Sequence, residues 1–451
     1  MKPINLRDAL WGADPESKAL TTPEGTTLFG ELQRAYWLGD SNHAVMVFCG
    51  SLKNTIRAIT ALDGNVDAFC ALSTRLNKED LEEILRQWSF DLVIMDEEIG
   101  YKDLFQTYGI RCVNLDQVIG SSVAKRIVSS TKWLVPTSGT TSAPKLVVHS
   151  FETLAQNALA GKRAGMDQQT WAMLYDITRF AGYQVFLYSM LMGHQLVFTG
   201  FDMPIEQRID FWANNDVTHF SATPSLWRKI LMCPTSSKLK PSQITLGGEA
   251  ADQTILSLLS EKYPSARLTH IFASTEAGVG LAVSDRRAGY PLSYLNKSFN
   301  GVDIKCKSGR LHVRSNVQPN GYAKSAQFAD EDGWIDTGDI MELTDDRFFI
   351  IGRENGVINV GGDKVVPEVV RTALLSCDCI SEAIVYGKNS PFTGKIVAAD
   401  VVLMPAIAAI DARKVIDEHL AGILNKAQHP RHIRFVPEIN VNDTGKVNIT
   451  R

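Results

Sequence analysis

No stretch of this 451-residue chain approaches the roughly 18 consecutive apolar residues that a membrane helix requires, so no membrane partner is expected. Its first ten residues, MKPINLRDAL, lack the basic-then-apolar layout of a secretory signal, and a cytoplasmic protein is expected. An excess of one charge is missing too. The 46 basic and 50 acidic residues leave a net charge of −4, with no long single-sign block. Phosphate-backbone affinity needs a basic surface, so nucleic acid is excluded as a general partner. Paired cysteines are also lacking. Cys49, Cys70, Cys112, Cys233, Cys306, Cys377 and Cys379 are odd in number, and only the last two lie close together. Without further Cys or His at ligand spacing they read as buried, reduced thiols rather than a disulfide framework or metal site.

What is present is a chain with 45% hydrophobic residues, long enough for roughly two to four domains and for a core that needs no covalent staple. Short β-branched runs alternate with helical patterns. AVMVFCG (44–50) reads as a buried strand, with a short core helix as the alternative, and LKNTIRAITAL after it has helical spacing. DAFCALS and FDLVIMD read as strands. LNKEDLEEILRQW between them is a helix with Asn77 as N-cap and acidic residues in its first turns. The alternation continues through THFSATPSLWRKIL, QITLGGEA, ILSLLSEKYP and RLTHIFAS, pointing to α/β architecture with largely parallel sheets. From about residue 300 to 351 the texture changes to short strands and Gly/Asp/Asn turns, with a hairpin expected around Ser308–Gly309. Beyond Gly352, VPEVVRTALL, EAIVYGK, KIVAADVVL, ARKVIDEHLAGIL and HIRFVPEI read as a small α+β unit. Two domains are therefore expected, residues 1–352 and 353–451.

The strongest local signal is TKWLVPTSGTTSAPKLVVHS (131–150). An apolar strand runs into Thr137, Ser138, Gly139, Thr140 and Thr141, followed by Pro144 and Lys145. Small hydroxyl residues with Gly let backbone N–H groups and hydroxyls converge on phosphate oxygens, and Lys145 adds positive charge. It is not a Walker A loop, because Pro144 precedes the lysine and the second glycine is missing. A polar turn between strands would read the same way.

The order TSGTT-x-x-PK resembles the signature loop of the ANL superfamily of adenylate-forming enzymes: acyl- and aryl-CoA synthetases, adenylation domains of nonribosomal peptide synthetases, and luciferases. Four more stretches fall in that family's order. GGEA (247–250) resembles the segment beside the adenine slot, implying Gly248, Glu249 and Ala250 as nucleotide contacts. FASTEAG (272–278) is similar to the aromatic-Gly-x-Thr-Glu segment. The resemblance implies Phe272 and Ala273 at the adenine, Thr275 at the α-phosphate and Glu276 on Mg²⁺. GWIDTGDI (333–340) resembles W/Y-x-x-TGD and implies that Asp339 accepts from the ribose hydroxyls. IGRENGVINVGG (351–362) resembles the hinge motif, with Arg353 reaching the ribose and Asn355 at the hinge. NDTGKV (442–447) resembles the terminal T/S-G-K loop, making Lys446 the catalytic lysine. Each stretch alone is an unremarkable turn; their common order is not.

The resemblance implies a two-step reaction. A small carboxylic acid attacks the α-phosphorus of ATP, giving an acyl-adenylate and pyrophosphate, and a thiol then takes the acyl group and releases AMP. ATP, Mg²⁺ and coenzyme A are the implied cofactors. A carrier-protein thiol is the alternative acceptor, and a nucleotide-binding relative with little ligase activity is a third reading. An acyl pocket is expected around Phe180, Gly182, Ala222, Thr223 and Gly278. Only Asp176 there could meet an α-amino group, which favours an aryl or heteroaryl acid over an amino acid. The whole sequence also resembles adenylases of bacterial antibiotic pathways, including the phenazine type. Departures from the family pattern are Ser142 and Leu146 for glycines, Phe272 for tyrosine, Ala273 for glycine, Asn355 for the hinge aspartate, Asn359 for lysine and Val369 for glutamate. A monomer or homodimer is the expected state.

Overall fold

The computed structural model describes residues 5–38, 43–96, 100–121, 130–137, 144–161, 168–295, 297–299, 301–315, 319, 321–323, 328–390, 394–404 and 409–439. The first β-branched run forms the strand Ala44–Val47 and turns at Gly50 into the helix Leu52–Leu62. Ser51 caps that helix by accepting from the Asn54 N–H. Asn77 caps Lys78–Gln87 through the Asp80 N–H, as its position before an acidic first turn implies. Fully buried strands Ala68–Ala71 and Leu92–Met95 explain why those segments lack an alternating pattern: both faces are covered.

Two large sheets result. One holds the parallel strands Lys132–Pro136, Ala68–Ala71, Ala44–Val47, Leu92–Met95 and Arg111–Asn114 in that spatial order, bordered by antiparallel Leu146–His149. The other runs Gly278–Val283, Arg267–Ser274, Gln243–Leu246, His219–Ala222, Thr170–Ala172, Gln195–Val197, Lys18–Thr22 and Gly25–Leu28, parallel in its centre and antiparallel at both ends. A single apolar cluster draws on both sheets and on the helices Leu52–Leu62 and Phe180–Leu191. Trp133 lies at its heart, with Phe69 at 4.6 Å and Tyr183 at 5.4 Å between ring centroids. Its indole N–H donates to the buried Asp63 carboxylate (2.9 Å), whose other oxygen accepts from the Leu6 N–H (2.7 Å).

The change of texture after residue 300 becomes an antiparallel sheet containing Val302–Lys307, Arg310–Ser315, Ile335–Leu343 and Arg347–Arg353. Its expected hairpin is present, with Ser308 (φ 54°) and Gly309 (φ 73°) both left-handed, as a two-residue I′ turn requires. The C-terminal segment builds its own sheet from Ile358–Val360, Asp363–Val365, Ile380–Ser390, Gly394–Leu403 and His432–Phe435, with a separate core around Val370, Leu374, Val385, Val401 and Ile416. This unit meets the larger one at the helix Pro224–Met232, where Arg371 donates to Ser225 Oγ (2.8 Å) and Lys229 to the Ile439 carbonyl (2.5 Å). The chain is thus α/β, with a large N-terminal domain of mixed, largely parallel sheets and a smaller α+β C-terminal domain. All seven cysteines are free thiols, five of them buried.

Candidate active site

The strand Lys132–Pro136 and its antiparallel neighbour Leu146–His149 form a hairpin whose tip is the hydroxyl-rich loop. The base of that loop is closed twice: Thr137 N–H donates to the Lys145 carbonyl (2.8 Å), and Lys145 N–H to Thr137 Oγ1 (3.1 Å). Ser138, Gly139, Thr140, Thr141 and Ser142 lie outside the described residues, as does Lys446. Arg179, at the N-cap of helix Phe180–Leu191, donates through Nη1 to the Thr137 carbonyl (3.1 Å), setting a second cation under the loop.

Lys145 is exposed and carries its ammonium 5.1 Å from the Tyr322 ring centroid. The Tyr322 hydroxyl in turn donates to Glu276 Oε1 (3.0 Å). Burial, and then the neighbouring Glu276 charge, push the Tyr322 phenol up, so it remains a donor. Lys145 and Glu276, 131 positions apart in the sequence, are thereby linked through one side chain. His149 fixes the same loop from beneath. Its Nε2 lies 2.9 Å from the Thr275 carbonyl, and since a carbonyl only accepts, Nε2 carries the proton. Burial pushes the His149 pKa down to about 4, so the ring is neutral near pH 7 and its Nδ1 accepts from the Thr153 hydroxyl at 3.0 Å.

At the far end, Asp339 and Arg353 are cross-strand partners, and Arg353 Nε donates to Asp339 Oδ1 (2.9 Å). Asp339 is buried, yet its Oδ2 has no partner among the described residues. An unsatisfied buried carboxylate oxygen is costly unless something donates to it, and vicinal hydroxyls of a ribose have the right chemistry. Arg353 also lies within electrostatic reach of Glu276 and Tyr322, joining this pair to the hairpin side of the site. Gly352 (φ 151°) lets the C-terminal segment close on this strand, for a Cβ there would lie 2.5 Å from Glu368 Oε2 and Val366 Cγ1.

The residues that the resemblance puts beside an adenine are divided in their placement. Gly248 and Ala250 are exposed in the turn after the strand Gln243–Leu246. The Glu249 side chain is spoken for, accepting from Ser225 Oγ (2.6 Å) and Ser225 N–H (3.2 Å), with Arg371 4.0 Å away. Phe272 and Ala273 straddle a bulge in the pairing of Arg267–Ser274 with Gly278–Val283, and the half-buried Phe272 ring packs on the cluster around Leu281 and Val302. Asn355 sits in the 3₁₀ turn Glu354–Gly356 between the last strand of the antiparallel sheet and the C-terminal sheet.

Beside His149 opens a narrow crevice with a volume of about 10 Å³, walled by Phe180, Gly278, Val279 and the polar side chains of Thr153, Asn157 and Gln184. Of the five expected pocket residues, Phe180 and Gly278 line this cleft and the other three stand elsewhere. Gly182 is a packing glycine: a Cβ there would come within 1.9 Å of the Asp176 carbonyl oxygen. Ala222 is core, and Thr223 is the fully buried cap of helix Pro224–Met232, accepting from the Leu226 N–H. Asp176 is buried, and its Oδ1 accepts from both the Thr178 N–H (2.8 Å) and the Thr178 hydroxyl (2.7 Å). His149, Tyr322, Arg179, Asn157 and Gln184 escaped the sequence reading. Only His149 had a usable signal there, as the one polar residue in an otherwise apolar buried strand.

The arrangement sets a hydroxyl-rich hairpin at one end and the Asp339–Arg353 pair at the other, with Glu276 and Tyr322 between them. Residues 68–307 match the family model "AMP-binding enzyme", and residues 370–446 match "AMP-binding enzyme C-terminal domain". The chain belongs to the AMP-binding enzymes, the adenylate-forming ANL superfamily. A 2-succinylbenzoate–CoA ligase of Listeria monocytogenes is 23% identical over 321 residues, covering 69% of this chain and 67% of that protein. The chain thus spans about two thirds of the length of such curated relatives. Among solved structures, the anthranilate CoA ligase AuaEII in complex with anthranoyl-AMP superposes with a TM-score of 0.82 at 17% identity, covering 98% of this chain and 95% of the other. The Bacillus subtilis O-succinylbenzoate coenzyme A synthetase with ATP and magnesium gives 0.77 at 19% identity, with 98% of each chain covered. These likenesses show a shared fold.

Proposed function

We propose that this protein activates an aryl or heteroaryl carboxylic acid with ATP, giving an acyl-adenylate and pyrophosphate, and then passes the acyl group to a thiol, that of coenzyme A. The observation that carries this reading is the unpartnered Asp339 Oδ2, paired across the strand with Arg353 and joined through Tyr322 and Glu276 to Lys145 and the phosphate hairpin. The names of the relatives, all acid–CoA ligases, support the acceptor and the aromatic acid.

The physical problem in the first half-reaction is the approach of a carboxylate to a polyphosphate, two anions. Lys145 and Lys446 lower that repulsion, while loop amides and hydroxyls hold the phosphates. Thr137 ties the two strands at the base of the loop and Arg179 holds Thr137, so that base is fixed before the acid arrives. Glu276 is half-buried with one oxygen committed to Tyr322, which leaves the other for Mg²⁺, an ion that favours one or two carboxylates with substrate phosphates. When bound, the ion supplies positive charge at the phosphate oxygens. His149 keeps Thr275 and Glu276 in register with the hairpin. For the second half-reaction, we assign residues 353–451 as a mobile lid turning about Asn355, which would exchange Lys446 for another face at the cleft. An acid from a bacterial antibiotic pathway of the phenazine type is the finer reading, supported by the overall sequence resemblance.

A panel of carboxylic acids in an ATP–pyrophosphate exchange assay tests the proposal, followed by product analysis with coenzyme A or a carrier-protein thiol. Acid-dependent exchange and an acyl-CoA product are expected. Transfer only to a carrier protein would redefine the acceptor. ATP binding with no exchange for any acid would leave a nucleotide-binding relative.

A further inference from the structure

The strand Leu146–His149 reaches Glu276 by two routes. Residues 321–323 lie along that strand. The Val148 N–H donates to the Gly321 carbonyl (2.9 Å), the Ala323 N–H donates to the Leu146 carbonyl (2.9 Å), and Tyr322 pairs with Val147 in an antiparallel bridge. The Tyr322 backbone is thus fixed opposite a residue two positions beyond Lys145. Its ring meets Phe328 in a T-shaped contact, with 5.2 Å between centroids. From there the hydroxyl reaches Glu276 Oε1 (3.0 Å), and since an ionised carboxylate only accepts, the phenol donates. The second route is His149, whose Nε2 donates to the carbonyl of Thr275 (2.9 Å), the residue before Glu276. One strand therefore holds both the backbone leading into Glu276 and its side chain.

A carboxylate held in this way is prepared for a cation. A glutamate side chain turns about several bonds, and all of them must be arrested when it becomes a metal ligand. A hydrogen bond to one oxygen arrests them beforehand and leaves the second oxygen to coordinate, as partners behind a metal ligand do. The same bond opposes a competing contact. Arg353 lies within electrostatic reach of Glu276, and a carboxylate released from Tyr322 would be drawn toward that guanidinium instead.

Resting on the reading that Glu276 holds Mg²⁺ with the nucleotide, we infer that Tyr322 is a positioning residue for that ion. Its hydroxyl fixes the Glu276 carboxylate and so sets how strongly the protein prefers ATP with Mg²⁺ to the metal-free nucleotide. The aromatic ring has a separate task, as the surface over which Lys145 lies. Mutation can part the two, because phenylalanine keeps the ring and loses only the hydroxyl.

The test is the ratio of two ATP dissociation constants from calorimetric titration of the full chain, one in EDTA and one in saturating Mg²⁺. Tyr322→Phe should weaken ATP in Mg²⁺ about tenfold more than it does in EDTA, the scale for losing a partner behind a metal ligand. Glu276→Gln should change the ratio by at least as much. Adding Tyr322→Phe to Glu276→Gln should then move the ratio by no more than about twofold, because the hydroxyl acts only through that carboxylate. Tyr322→Leu, which also lacks a donor, makes the same comparison should Tyr322→Phe not fold. A folded Tyr322→Phe protein with the wild-type ratio, beside a Glu276→Gln protein that has lost it, overturns the inference and leaves the metal reading intact. Equal weakening in EDTA and in Mg²⁺ overturns it as well, since a purely structural role would act that way. Glu276→Gln with the wild-type ratio overturns the metal reading and the inference together.

Discussion

Replacing Asp339 with asparagine isolates the ribose contact from the fold. The parent carboxylate is buried, with Oδ1 on Arg353 and Oδ2 unpartnered. Arg353 is itself half exposed, 52% by side chain, so losing the ionic part of that pair costs about 1 kcal/mol or less after solvent screening. Asparagine keeps an oxygen for Arg353 and nearly the same volume, and the variant should fold with a melting temperature lowered by only a few degrees. Nucleotide binding should suffer far more. An amide can accept from one ribose hydroxyl but turns an NH₂ toward the other, removing at least one charge-assisted hydrogen bond worth about 1.5–3 kcal/mol. At 1.4 kcal/mol per decade this weakens ATP by roughly 10- to 150-fold. Calorimetric titration with ATP reads the loss directly, and 2′- and 3′-deoxy-ATP make it specific. Wild type should discriminate strongly against at least one deoxy analogue, and Asp339→Asn should not. A folded Asp339→Asn protein that binds ATP within about twofold of wild type refutes the assignment of Oδ2 to a ribose hydroxyl.

Lys446→Ala should lower the adenylation rate by roughly 10²–10³, the scale for one preorganised donor, and near-normal pyrophosphate exchange would remove that role. Gly182→Ala should destabilise the protein by about 3 kcal/mol or more, since the new methyl meets the Asp176 backbone rather than a movable side chain. A lower denaturation midpoint would agree; unchanged stability with altered acid KM would return Gly182 to the pocket. The pH dependence has a definite sign. Burial pushes His149, His194, His219 and His270 each down to about 4, below the ordinary value of 6.5. Between those limits these four rings bind more protons in the unfolded chain, so their share of stability is complete above pH 6.5 and falls as pH drops toward 4, while the buried Asp63 and Glu382, raised to about 7, offset part of that loss. Melting temperatures measured from pH 7 to 4.5 should decline for the wild type and decline less for His149→Gln, and an identical pH slope in the two would contradict a neutral buried His149 ring.

Local motifs were legible wherever one segment carries its own geometry. The Asn77 cap and the Ser308–Gly309 turn depend on neighbours within a few residues or one hairpin. The strand Lys18–Thr22 was not legible, because its place is decided by parallel pairing with Gln195–Val197, some 175 residues away. The residues expected around the acyl pocket are separated in space for the same reason. Phe180 and Gly182 lie two positions apart on one helix and so face different neighbours, one the cleft and the other the Asp176 backbone. Thr223 looked like a ligand-facing hydroxyl but spends its oxygen on a helix N-terminus.

By itself, then, the sequence determined the α/β class, the order of the nucleotide motifs and the absence of any broad charge. Each of these is a property of composition or of short spacing. Only the tertiary structure decided what those motifs touch. It placed Tyr322 between Lys145 and Glu276, turned the Glu249 side chain toward Ser225, and set a neutral His149 under Thr275. It also lined the cleft with amides from two helices that sequence spacing does not relate. Hydrogen bonds of about 3 Å between residues more than a hundred positions apart arise from packing, and no local pattern in the chain encodes them.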